Sequence, residues 1–195
     1  MGLRQLRWFV FLAFPFVIAT TAQADTVYFN GSYAFASGGY GIPPYGGTWN
    51  GQAASFYCVD FTHDITANTG WNAAATSLAG SDFSATLLKD QNLYLEMAWL
   101  VTQMMGTSDT NLQAQYQYAI WSITGGPDPF GMDVSLVLAA SGAVHSGFDG
   151  QGFTILTPTG SYGQEFLVKT PEPSTLLLLG IGLVALLVVS KKLLV

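Results

Sequence analysis

β-prone residues fill 26–35, and residues 55–62 (Ser-Phe-Tyr-Cys-Val-Asp-Phe-Thr) repeat that character, so both segments predict strands. Between them, residues 37–51 are rich in Gly and Pro, with Pro43-Pro44 and Gly46-Gly47, and read as a loop. The period then changes. Leu93, Met97, Leu100, Val101, Met104 and Met105 recur at helical spacing, and Gly106 can end that helix. Ser108 or Asp109 can cap a second helix over about 111–123, which Gly125-Gly126-Pro127 stops. Its core stripe is Leu112, Tyr116, Ile120 and Ile123, with Gln117 beside it. A third helical stretch covers 134–144, and residues 153–156 and 165–169 return to strand character. Strands at both ends of a helical middle predict an α+β fold, an antiparallel β-sandwich or partial barrel carrying helices.

The two ends follow a different logic. Residues 1–24 combine Arg4 and Arg7, a short apolar run over 8–18 and Ala22-Gln23-Ala24, the order of a secretory signal peptide cut after Ala24. The alternative, an N-terminal anchor, is disfavoured by an apolar run too short to span a bilayer. Residues 175–189 are almost wholly apolar and are followed by Lys191 and Lys192, which predicts a C-terminal transmembrane helix with its basic end in the cytoplasm. One exported domain, 25–170, lies between.

Just before the apolar tail stands Pro171-Glu172-Pro173-Ser174-Thr175, then Leu176-Leu177-Leu178-Leu179-Gly180 and the lysine pair. This tripartite order over 171–195 resembles the PEP-CTERM sorting signal of Gram-negative bacteria. The resemblance implies that an exosortase is a partner, that it removes the tail, and that the exported protein joins the cell surface or an exopolysaccharide matrix.

Charge narrows the function classes. Of 195 residues only 9% are charged, and the exported region holds two basic side chains, Lys89 and Lys169, against eleven acidic ones, a net of about −9. Such a surface cannot neutralise phosphates, which excludes nucleic acid as a partner. Plentiful aromatics exclude a disordered chain, and one cysteine excludes a disulfide scaffold.

That cysteine, Cys58, is either a reactive or intermolecularly paired thiol or a buried small hydrophobe. Strand alternation would put Tyr57, Val59 and Phe61 on one face and Cys58 with Asp60 and Thr62 on a more polar one. Gln117 is the second unusual residue, a carboxamide inside an apolar helical stretch that needs a partner if buried. Tyr57-Cys58-Val59-Asp60 and Tyr116-Gln117-Tyr118-Ala119-Ile120-Trp121 together resemble the two motifs of bacterial thioester domains. The resemblance implies a bond between the Cys58 sulfur and the Gln117 side chain, surrounded by Tyr57, Asp60, Tyr116 and Trp121. It also implies covalent attachment to amines or hydroxyls of a polysaccharide or surface protein, without turnover and without a cofactor. On this reading the protein is not an enzyme.

Two other readings stay open. One is a non-covalent structural or sugar-binding component of an exopolysaccharide matrix. The other is a cysteine hydrolase using Cys58 with His63 or His145 and Asp60 or Asp64, although no nucleophile signature surrounds Cys58. Neither the histidines nor Asp128, Asp133 and Asp149 follow a metal-ligand spacing, so no metal is expected.

Overall fold

The computed structural model describes residues 24–127, 131 and 133–170. The expected signal peptide up to Ala24 and the sorting segment with Pro171, Glu172 and Pro173 fall outside them, apart from Ala24 itself. Among the described residues no helix is long and apolar enough to cross a membrane.

Eleven elements follow in chain order: β1 (Asp25–Phe29), β2 (Phe35–Ser37), β3 (Tyr40–Ile42), β4 (Tyr45–Trp49), β5 (Gln52–Cys58), β6 (Thr69–Ser77), α1 (Gln91–Met105), α2 (Thr110–Ile123), α3 (Asp133–His145), β7 (Phe153–Pro158) and β8 (Phe166–Lys169). Six strands close into an antiparallel barrel in the order β1-β4-β5-β8-β7-β6, and β2 and β3 form a separate hairpin. The α+β class expected from the sequence is what the chain adopts, with the barrel closed by β1 pairing to β6. The residues 37–51 expected as a loop instead hold most of two hairpins. The second turns at Asn50-Gly51, both with positive φ (52° and 76°), the backbone that a tight two-residue hairpin requires. Gly47 permits close strand approach, since a Cβ there would stand 2.0 Å from the Tyr28 carbonyl oxygen.

The helices begin as their caps dictate. Asp90 accepts from the Asn92 amide at the start of α1, and Asp109 from the Asn111 and Leu112 amides at the start of α2. Alternation along β5 and β8 then divides the core in two. Phe56, Cys58, Phe166 and Val168 join Val27, Phe29, Tyr45 and Trp71 in one aromatic-rich cluster. Tyr57, Val59 and Leu167 face the other way and pack with Leu100, Val101 and Ile120 of the helices. Helix α2 serves both clusters: Ala114, Tyr118 and Trp121 enter the first, whereas Ala119 and Ile120 enter the second. Gln117 lies between these two faces of the helix.

A carboxylate ties the layers together. Glu165, just before β8, is buried and accepts from the Leu87 amide (2.9 Å), the Thr157 hydroxyl (2.5 Å) and the Tyr94 hydroxyl (2.5 Å). Its own backbone carbonyl accepts from the Val59 amide at 3.1 Å. Burial raises its pKa above the usual carboxylate range, although its three donors oppose that rise.

Candidate functional site

β5 ends at Cys58, and the chain then turns sharply through Asp60. The Asp60 carboxylate holds this turn, accepting from the Thr62 amide (2.9 Å) and hydroxyl (2.6 Å) and meeting His63 Nδ1 at 2.7 Å. Cys58 sits just inside the turn, and its thiol donates to the Asp60 carbonyl oxygen at 3.2 Å. The thiol is 1% exposed, in the barrel cluster with Phe56, Phe166 and Trp121. Alternation therefore separates Cys58 from Tyr57 and Val59 as expected, but the face it takes is the aromatic interior and not a polar surface. The strand also stops before Asp60, which is buried by the turn and not by strand pairing.

Helix α2 brings the second group. Gln117 is fully buried and its Nε2 donates to the backbone carbonyl of Cys58 at 2.8 Å, so the two residues 59 positions apart meet. The deep face of α2 carries Gln117, Tyr118 and Trp121, whereas Leu112, expected in the core stripe, is 39% exposed. The Gln117 Oε1 has no hydrogen-bond partner, and neither does the Trp121 indole nitrogen. A carboxamide oxygen buried in that way costs about 1–3 kcal/mol. The indole nevertheless stands close enough to the Cys58 sulfur to lower its pKa against the dominant effect of burial, which pushes the thiol up to about 12. Burial thus holds the thiol almost wholly protonated at neutral pH.

Rings cover the pair. Trp121 packs on Phe61 (centroids 5.4 Å apart), Tyr40 (5.7 Å) and Tyr118 (5.3 Å), and Tyr40 also meets Phe61 at 5.3 Å. Tyr40 comes from the β2–β3 hairpin, which the Tyr118 hydroxyl pins by donating to the Ser37 carbonyl at 2.9 Å. Of the expected surround, Asp60 and Trp121 stand at Cys58, but Tyr57 and Tyr116 do not enclose it. Both pack on the helical side of the wall, and Tyr40, Phe61 and Tyr118 take the covering place. No spacing in the sequence pointed to Tyr40 or Phe61, because contact with Trp121 depends on how the hairpin folds over α2.

Outside this aromatic cover lies a cleft of about 550 Å³, walled by Tyr40, Phe61 and Trp121 and bordered by Tyr33, Asp64 and Gln164. Cys58 and Gln117 do not line it. The hydrolase arrangement is not formed: His63 Nδ1 is engaged by Asp60, His145 Nδ1 meets the Ser141 carbonyl on α3, and the thiol donates to a carbonyl. Asp128 lies outside the described residues, and among those described no three of His, Cys, Asp and Glu converge as metal ligands would.

Among solved structures, the chain is similar to the N-terminal thioester domain of the fibronectin-binding protein SfbI from Streptococcus pyogenes. The TM-score is 0.42 and the identity 14%, over 77% of this chain and 94% of that one. No curated protein matches the chain. Residues 169–192 match the PEP-CTERM protein-sorting motif, and the protein is therefore one exported and sorted at the cell envelope, with the membrane protein exosortase as its processing partner.

Proposed function

We propose that Cys58 and Gln117 join in an internal thioester, and that this surface or matrix protein of a Gram-negative cell uses it to attach covalently to another surface. The observation that carries the reading is the Gln117 carboxamide held at 2.8 Å on the Cys58 backbone, in a buried site where its Oε1 has no partner among the described residues. A thiol with so little thiolate cannot act through nucleophilicity alone. The rate must come from fixed proximity between two rigid elements, a strand end and a helix. The sulfur adds to the Gln117 side-chain carbonyl, the S–C bond forms, the C–N bond breaks, and the thiol proton leaves with the nitrogen as ammonia. An acceptor amine or hydroxyl later takes the acyl group and returns its proton to Cys58. The chemistry ends there, since nothing regenerates the carboxamide, so the protein acts once and does not turn over.

The test is the intact mass of the full-length protein, purified in detergent without exposure to amines. It is expected to be lighter than the sequence requires by one ammonia, and methylamine is expected to restore mass as an adduct on Gln117. A full mass with a titratable thiol in the untreated protein would overturn the reading.

The aromatic cover makes a second expectation. Tyr40 is the one covering ring that comes from a hairpin outside the barrel, and it is 42% exposed. Tyr40→Ala should therefore open the site with the barrel intact. Methylamine capture and spontaneous hydrolysis, both followed by mass against time, are expected to speed up about tenfold or more as water and amine gain entry. Unchanged rates would mean that entry does not pass Tyr40.

A further inference from the structure

We propose that the cleft outside Trp121 receives an amino sugar whose amine is unacetylated, and that such a unit in a cationic polysaccharide is the acceptor acylated by Gln117. The inference rests on the thioester reading of Cys58 and Gln117.

The walls favour a rigid ring. Tyr33 and Tyr40 are 50% and 42% exposed at the mouth, with Phe61 and Trp121 behind them. Tyr33 is seated on the hairpin backbone, since a Cβ at Gly41 would stand 2.9 Å from its Cγ. Flat aromatic faces with hydroxyl tips match a pyranose, which has apolar C–H faces and a polar edge. A cleft of about 550 Å³ is also much wider than a single lysine stem needs. A lysine loses more rotamer freedom on binding than a preformed ring does.

The chemistry of the walls selects the amine. No His, Lys or Arg lines the cleft, and its titratable walls are the carboxylates of Asp60 and Asp64, a class of base much weaker than an amine. Such walls favour an acceptor that arrives unprotonated. A lysine amine titrates near 10.4, whereas an amine beside electron-withdrawing substituents, such as an α-amino group, titrates near 8. At pH 7 the second has a neutral fraction more than about a hundredfold larger. An amino sugar carries its nitrogen between oxygen-bearing carbons and belongs to that second group.

Two side chains fit the neighbouring units. Asp64 is exposed at the cleft and has no partner among the described residues, which suits it to a protonated amine on the next sugar. Gln164 donates through Nε2 to the carbonyls of Asp60 and His63, leaving its Oε1 to accept from a sugar hydroxyl. The acidic exported region draws a polycation toward this face. In the transfer, the neutral amine passes the Tyr40–Trp121 cover between the cleft and Gln117 and attacks the thioester carbonyl; the N–C bond forms, the C–S bond breaks, and the amine proton passes to Cys58 to restore the thiol.

Full-length protein in detergent is offered a glucosamine oligomer, its fully N-acetylated counterpart, methylamine or N-acetyl-lysine amide, each at equal concentration, with adducts followed by intact mass. The expected result is a saturable glucosamine adduct forming at least tenfold faster than the methylamine or lysine adduct. The acetylated oligomer is expected to form no adduct and to compete. Tyr33→Ala and Asp64→Asn are each expected to lower the glucosamine-to-methylamine rate ratio by fivefold or more. Lysine amide reacting as fast as glucosamine, or a ratio unmoved by both variants, overturns the assignment while leaving the thioester intact. If the untreated protein lacks the ammonia loss, the thioester reading and the acylation both fail. Calorimetric binding of both oligomers, lost in Tyr33→Ala, would then separate a sugar-binding cleft from a cleft that binds neither.

Discussion

On the proposed thioester, Cys58→Ala is expected to retain its ammonia, to capture no methylamine and to unfold well below the untreated wild type. The first two outcomes follow because the acyl carbon of Gln117 has no other thiol to reach in this chain. The third follows from topology. A bond from Cys58 to Gln117 closes a large loop through β6, α1 and the start of α2, and a cross-link of that span restricts the unfolded chain by roughly 4 kcal/mol. For a domain of this size that corresponds to about 10 °C in Tm. Loss of the buried sulfur itself adds only about 1 kcal/mol. Methylamine-treated wild type must therefore fall most of the way toward the variant, because it has lost the same cross-link while keeping the sulfur. A thermal melt of three samples, untreated, methylamine-treated and Cys58→Ala, checks this. Equal melting of the treated and untreated protein would show that no cross-link existed.

Glu165→Ala is expected to destabilise the fold by about 3 kcal/mol, measured by urea unfolding at neutral pH. The substitution strips the acceptor from the Leu87 amide and from the Tyr94 and Thr157 hydroxyls at once, and Tyr94 is fully buried. Glu165→Gln separates shape from charge. Because burial raises the native pKa of Glu165 above its ordinary 4.5, the folded state holds this proton more tightly than the unfolded state. Its contribution is therefore complete below about pH 4.5 and falls as pH rises through the native value. The Gln variant should lose that fall, giving a flatter urea midpoint against pH over this window. A midpoint curve identical to wild type would mean that the carboxylate titrates alike in both states.

Helices α1 and α2 were legible because each carries local punctuation: Gly106 ends α1, Asp109 caps α2, and their apolar positions keep helical spacing. β4 and β6 were not. β4 is Tyr-Gly-Gly-Thr-Trp, and its glycines look like loop residues until the neighbouring Tyr28 backbone shows why no side chain fits. The Asn50-Gly51 pair that follows was the missed hairpin signal. β6 is rich in alanine, and its place is fixed by pairing with β1 and β7, which no window of adjacent residues reveals. The candidate pair itself was reached through two short motifs. The residues around it were only partly legible, because Tyr40, Phe61 and Gln164 come from three separate segments outside those motifs. Leu112 shows the converse error, an apolar residue at helical spacing left outside because α2 turns its carboxamide inward.

The position of Gln117 has a mechanical consequence. If the proposed tether forms at Gln117 and the exported protein is held at the C-terminal end of its domain, the pulling points lie in α2 and beyond β8. Tension then runs along the covalent chain through α3, β7 and β8, and strands β1 to β6 carry load only through their contacts. β8 is hydrogen-bonded to β5 on one side and β7 on the other. Drawing it out of the closed wall requires rupturing both ladders, so this short strand is where a protein tethered in that way would resist being pulled away.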